Sequence, residues 1–360
     1  MSNVIDFPAP LRQAAPSEAP AQGLAPLIAA FAEGRRDRED VFWLKENAEL
    51  LSILNCTGAR PGQGALAPYA PLMAEMAARL HLFPQYYRFL LSLCLDLEDL
   101  GLGPRRDPGL GERLCAWVAR EGLPGAELSD LQRAEARCLL ARRGAARPLG
   151  EDALGDRLRA FSGRPATFAL PNRKAAYELT HIVFYLSDYG RRDPGLSPEA
   201  LVSLDYAGLL AFLDQNLDLL AEVCTALRLA GRRPSPIWCR AVARGHGAIP
   251  VLSAPEAPLQ DAYHLYLVTG WAQRVAGAPA FAPLAGGALR FAPPPQGRSA
   301  LPPLSACLRD LGARRSADWG AMRGHVLSYL GAEGHALLYK AERSSPRFGE
   351  FFEGFARAAR

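Results

Sequence analysis

Apolar side chains recur along this chain at intervals of three and four, the spacing of one face of an α-helix. Read with cap and turn signals, that pattern predicts helices over 24–33, 40–56, 69–81, 85–100, 109–121, 128–143 and 150–162. It continues through 172–189 and from 198 to 229, with a break near 213–216, and then through 236–244, 259–275, 302–311, 318–341 and 348–358. The punctuation is physical. Pro84 suits a first helical turn, where its missing N–H costs nothing. Ser129 with Gln132 three residues on has the form of a capping box. Ser197-Pro198-Glu199 reads as N-cap, proline at the first helical position and an acid near the positive end of the helix dipole. The alternating pattern of a strand is confined to 249–252 and 288–291, which can pair as a small ribbon. An extended linker is expected over 165–171.

The expected fold is therefore all-α: many short antiparallel helix pairs in an irregular bundle or an α/α toroid-like array. Residues 1–23, rich in Pro and Ala, read as a disordered tail. Residues 24–360 read as one large helical domain or as two lobes, 24–165 and 166–360, with a Pro/Gly-rich loop at 277–303. Leu97-Glu-Asp-Leu-Gly101 with Arg105-Arg-Asp-Pro-Gly-Leu110 is echoed by Leu186-Ser-Asp-Tyr-Gly190 with Arg191-Arg-Asp-Pro-Gly-Leu196. Gly after a helix, cations at its C-terminal end and Asp-Pro before the next helix account for the echo without a duplication.

One predicted helix, 172–189, interrupts its apolar surface with Glu178, His181, Tyr185 and Asp188. At about 100° per residue these fall in one stripe, as either a satisfied buried network or a site. Glu178-Leu-Thr-His181 is an E-x-x-H spacing, and Asp261-Ala-Tyr-His264 is a D-x-x-H counterpart on another apolar helix. Two such motifs on facing helices are one way of assembling a carboxylate-bridged metal site. Carboxylate with imidazole suits a divalent Fe, Mn or Zn ion. On that reading His181 and His264 are ligands, with Glu178, Asp261 or Asp188 as a carboxylate ligand or as its orienting partner. Tyr185 and Asp188 are the expected catalytic side chains. Asp96, Glu98, Asp99 and His246 are further ligand candidates. Cys239 and His246, seven apart, allow a zinc alternative completed by His181 or His264. His325 and His335 near the C-terminus read as solvated, and His81 as the partner of a helix C-terminus.

Composition narrows the partners rather than naming them. A formal charge of +4, from 41 basic and 37 acidic residues, is too small at this length to imply nucleic acid. The basic residues are nearly all Arg, and their pairs sit at helix ends rather than on one stripe. No window has the roughly 20 apolar residues of a membrane span, and the N-terminus lacks the basic and apolar regions of a secretory signal. Seven cysteines, none in a C-x-x-C pair, fit a reducing, cytoplasmic setting. Walker A, G-x-G-x-x-G, H-E-x-x-H and G-x-S-x-G patterns are absent from the sequence, against nucleotide binding and the common hydrolase mechanisms.

Thr180-His-Ile-Val-Phe-Tyr-Leu-Ser-Asp-Tyr-Gly190 and Tyr263-His-Leu-Tyr-Leu-Val268 together resemble segments of an uncharacterised family of all-helical bacterial proteins. That resemblance implies a shared site for the two histidine helices and carries no activity. Two functions are expected in competition. One is a cytoplasmic helical enzyme with a His/carboxylate site in a central cavity, metal-dependent or not, acting on a small molecule or peptide. The other is a helical-repeat scaffold that binds a protein partner and has no catalytic site.

Overall fold

A computed structural model describes residues 23–358, apart from 63, 104–108, 151, 254–260, 282–287 and 296. The expected tail, and the first copy of the Arg-Arg-Asp-Pro echo from 105 to 108, lie outside the described residues. Within them the chain is all-α, with seventeen α-helices. In order these are α1 (Leu24–Ala29), α2 (Val41–Cys56), α3 (Ala70–Leu82), α4 (Tyr87–Asp99), α5 (Leu110–Arg120), α6 (Asp130–Ala141), α7 (Ala153–Ser162), α8 (Pro165–Phe168) and α9 (Arg173–Leu186). They continue with α10 (Pro198–Leu213), α11 (Leu217–Leu229), α12 (Pro236–Gly247), α13 (Tyr263–Val275), α14 (Leu301–Leu311), α15 (Trp319–Ser328), α16 (Ala332–Ser344) and α17 (Phe348–Ala356). A π-helical turn, Ala30–Gly34, extends α1. The ribbon is present: β1 (Val251–Ser253) pairs antiparallel with β2 (Leu289–Phe291), Leu252 opposite Arg290.

The helices begin where short polar side chains take up the orphan N–H groups of a first turn. Asp40, Asp152, Asn172, Ser197 and Asn216 each accept a backbone N–H from inside the helix that follows. Ser129 does the same for Gln132, but the reciprocal half of the capping box is replaced by its hydroxyl donating to Gln132 Oε1 at 3.2 Å. The break between α10 and α11 falls where Gln215 takes a left-handed backbone (φ 56°) and Asn216 caps the next helix. Three expectations are corrected. Pro165 starts the short helix α8 rather than an extended linker, because proline at the first helical position is already shaped for the turn. The helix expected over 318–341 is two, α15 and α16, separated where Gly331 takes an extended backbone. The second Asp-Pro does not open a helix: Asp193 accepts from Gly195 N, and Ser197 caps α10.

The core runs without interruption from Leu24 to Ala356. α10 and α11 lie at its centre, and every residue of α11 from Leu219 to Leu227 is buried. α11 packs against α9, α10, α12 and α13, and α13 also packs on α2, which itself lies along α4. A buried clasp holds this junction. Arg35 donates to Glu46 Oε2 (2.8 Å), to both oxygens of Asp261 (2.8 and 2.9 Å) and to the Leu289 carbonyl (2.8 Å). The rings of Phe31, Tyr263 and Phe291 surround its guanidinium. Among the described residues, no helix is long and apolar enough to cross a membrane.

Candidate functional site

Four helices, α2, α9, α11 and α13, deliver ionisable side chains to one place. α11 contributes Asp218 and Glu222, one turn apart on the same face. α13 brings His264, whose Nδ1 lies 2.6 Å from Glu49 Oε1 on α2 and whose Nε2 lies 3.3 Å from Asp218 Oδ1. α9 brings three groups. The Tyr177 hydroxyl donates to Asp218 Oδ2 at 2.6 Å, the Thr180 hydroxyl donates to Glu222 Oε2, and His181 Nδ1 stands 3.7 Å from that same Glu222 oxygen. The two histidines singled out by spacing therefore meet across two acids that belong to neither of their motifs.

The electrostatics divide the acids. Burial pushes the Glu222 carboxyl up; the His181 imidazole opposes this and the nearby Asp218 charge adds to it, and burial prevails. Burial acts the same way on Asp218, but the His264 imidazole and the Tyr177 hydroxyl outweigh it and hold Asp218 below the usual carboxylate range. Burial opposes charge on His264, yet the Glu49 charge and the contact with Asp218 prevail and push its pKa up to about 11. His181 is fixed differently. Its Nδ1 lies 2.8 Å from the Tyr177 carbonyl, which can only accept, so Nδ1 carries a proton and in the neutral tautomer the lone pair is on Nε2. Among the described residues Nε2 has no partner, and the ring is about one-third exposed.

Asp218, Glu222 and His264 each present one donor atom, and the three lie within 4.8 Å of one another. Metal–donor distances of about 2.0–2.2 Å need only small side-chain movements from that spread. Asp218 Oδ1 is buried and lacks a well-aligned hydrogen-bond donor among the described residues. Glu49 against the far nitrogen of His264 has the form of a carboxylate that orients a ligating imidazole.

The other expected site residues have different partners. Glu178 is half-buried, 4.0 Å from Lys174 on the outer side of α9. Asp261 precedes the first turn of α13 rather than sharing its face, accepts from Tyr263 N and Phe291 N, and closes the Arg35 clasp. His246 has both ring nitrogens engaged, by Thr269 Oγ1 (2.8 Å) and the Ala280 carbonyl (2.6 Å), and burial pushes its pKa down. Tyr185 and Asp188 line a separate cavity of about 30 Å³ beside Cys56, Cys138 and Arg142. Asp188 lies past the end of α9 in a left-handed conformation (φ 47°) and pairs with Arg191 at 3.3 Å. Asp96, Glu98 and Asp99 are gripped by Arg142 and Arg143. Cys239 is not brought to His246; it faces Arg228 instead.

Glu49, Asp218 and Glu222 carry no motif. Asp218 and Glu222 do stand four apart in a helix, Leu217–Leu229, whose other positions are nearly all apolar, but that spacing does not tell a buried acid from a solvated one, and Glu49 on α2 lacks even that signal.

The family model named Domain of unknown function (DUF6902) matches residues 1–358. The chain belongs to that family. Nearly the whole chain, including all four helices of the cluster, lies within the match. No curated protein and no solved structure matches it.

Proposed function

We propose that this protein is a helical enzyme whose chemistry is centred on the histidine–carboxylate cluster. Asp218, Glu222 and His264 would hold one divalent ion of the Fe, Mn or Zn type, chosen because two oxygens and one imidazole suit those ions. The observation that carries the reading is the convergence of those three donors within 4.8 Å, with Glu49 behind His264 and Asp218 Oδ1 left without an aligned donor. Such an ion supplies Lewis acidity and lowers the pKa of bound water. The protein's own part is to orient and to move a proton. Tyr177 and Thr180 fix the two carboxylates, and His181 Nε2 is a proton acceptor at the exposed rim of the site. The substrate class is a small molecule or peptide reaching that rim. A reducing, cytoplasmic setting belongs to the same proposal and is supported by the seven free thiols.

One observation favours the scaffold alternative: both nitrogens of His264 already face carboxylates, so the cluster can serve as a metal-free ion network. Ion binding separates the two readings, because His264 must surrender its Nε2 proton to a metal. Protein purified without a metal-affinity tag should carry, or take up in calorimetry, one equivalent of Fe²⁺, Mn²⁺ or Zn²⁺ with proton release. Asp218→Asn and His264→Ala should abolish that uptake. No bound metal on isolation, together with no uptake by the wild type, rejects the metal site.

A further inference from the structure

Outside this cluster, on the opposite flank of α11, two sulfur atoms face each other across the α11–α12 contact. Cys224 is buried on α11, and Cys239 on α12 is partly exposed to solvent. Both are free thiols, close enough that each shifts the other's titration. Arg228, one helical turn beyond Cys224 on the same face of α11, directs Nη2 at the Cys239 sulfur from 3.7 Å. Buried structural cysteines have apolar neighbours and are inert; here a guanidinium and a thiol both face one accessible sulfur, the environment of a reactive thiolate. The neighbouring Cys224 thiol, together with Arg228, pushes the Cys239 thiol down to about 6. The other five cysteines lack this arrangement. The thiols of Cys56, Cys94, Cys115 and Cys138 are pushed up by burial, and Cys307 likewise.

We propose that Cys239 and Cys224 form a peroxide-reactive pair, with Cys239 as the attacking thiolate and Cys224 as the resolving thiol. The Cys239 sulfur attacks the terminal oxygen of a hydroperoxide. The O–O bond breaks, the alcohol or water leaves with a proton from solvent, and Cys239 becomes a sulfenic acid. The Cys224 sulfur then attacks the sulfenyl sulfur. The S–O bond breaks, hydroxide leaves as water with the Cys224 proton, and an S–S bond joins α11 to α12. Two thiols are oxidised by two electrons in all, and one hydroperoxide is reduced. The S–S bond of about 2.05 Å would span the packed contact between α11 and α12. The pair and its test are independent of the metal proposal.

The test uses full-length reduced protein and hydrogen peroxide. Thiol titration should fall from seven to five, and a peptide map without reductant should show one cross-link, between the peptides holding Cys224 and Cys239. In Cys224→Ser the reaction should stop at a sulfenic acid on Cys239, trapped by a cyclic diketone probe. In Arg228→Met, oxidation at pH 7 should slow roughly tenfold as the thiolate is lost. Seven surviving thiols in the wild type, a cross-link between any other pair, or equal oxidation in Cys239→Ser overturns the proposal. The wild-type map stands even if a variant fails to fold.

Discussion

At the scale of single residues, the cluster is held by side chains whose only evident work is to orient others. Glu49 reaches the candidate ion only through His264, 2.6 Å away. Outer-shell carboxylates of this kind typically contribute about 10–100-fold to metal affinity. Glu49→Gln should therefore weaken uptake by that factor while leaving one binding site, measured by competition with a chromophoric chelator. Unchanged affinity would remove Glu49 from the site. Thr180 is fully buried, and its hydroxyl donates to the buried Glu222. Thr180→Val should destabilise the fold by about 1–3 kcal/mol, the cost of leaving a buried acceptor unpaired, read from urea denaturation. The histidines were legible because imidazole is rare and stands out on an apolar helix. Their acids were not, because an acid on a helix reads as solvated until tertiary packing buries it. Nothing local distinguishes Glu222, buried against Thr180, from Glu178 at the surface.

At the scale of elements, close helix approach depends on a few positions where a side chain is missing. α10 passes α12 at Gly208, where a Cβ would sit 2.5 Å from the Trp238 ring. Trp238 is itself only 1% exposed, so it has nowhere to retreat. Gly208→Ala should cost about 1–3 kcal/mol through overpacking despite the better helix propensity of alanine. Thermal unfolding checks this, and a rise in Tm would show that the ring can move. The elements themselves were largely readable, since periodicity and caps act within a few residues. Asp40, Ser197 and Asn216 each marked a boundary the structure keeps. The misreadings share a cause. Gly331 lies in an apolar stretch that continues the helical period, and only tertiary packing decides that the chain turns there. Pro165 reads as the start of a linker, but its fixed φ equally suits the first turn of a helix, and that is where the fold uses it.

At the scale of the whole molecule, the Arg35 clasp joins the first helices to the second half of the chain. Burial pushes the Asp261 carboxyl up, but Arg35 and the N–H groups of Phe291 and Tyr263 outweigh it and hold Asp261 below its usual range. A carboxylate depressed by folding contributes stability that is present above its unfolded pKa, about 3.9. That contribution is lost as pH falls through the folded value. Wild-type stability should therefore decline below about pH 4 more steeply than that of Asp261→Asn. At neutral pH that variant should already be about 3 kcal/mol weaker, the low end for breaking a buried pair, because Glu46 stays with Arg35. Parallel acid titrations of stability would contradict the assignment. No sequence window contains this contact, since Arg35 and Asp261 stand 226 positions apart.

That separation bears on how the chain is made. Synthesis proceeds from the N-terminus, and domains generally fold as their segments emerge. Arg35 leaves the ribosome early with Glu46, but its second carboxylate follows 226 residues later, and Glu49 waits 215 residues for His264. Segments made early are thus among the last to reach their native partners. A polypeptide stalled before residue 261 would present a guanidinium and the face of Phe31 to chaperones instead of to Asp261 and Phe291.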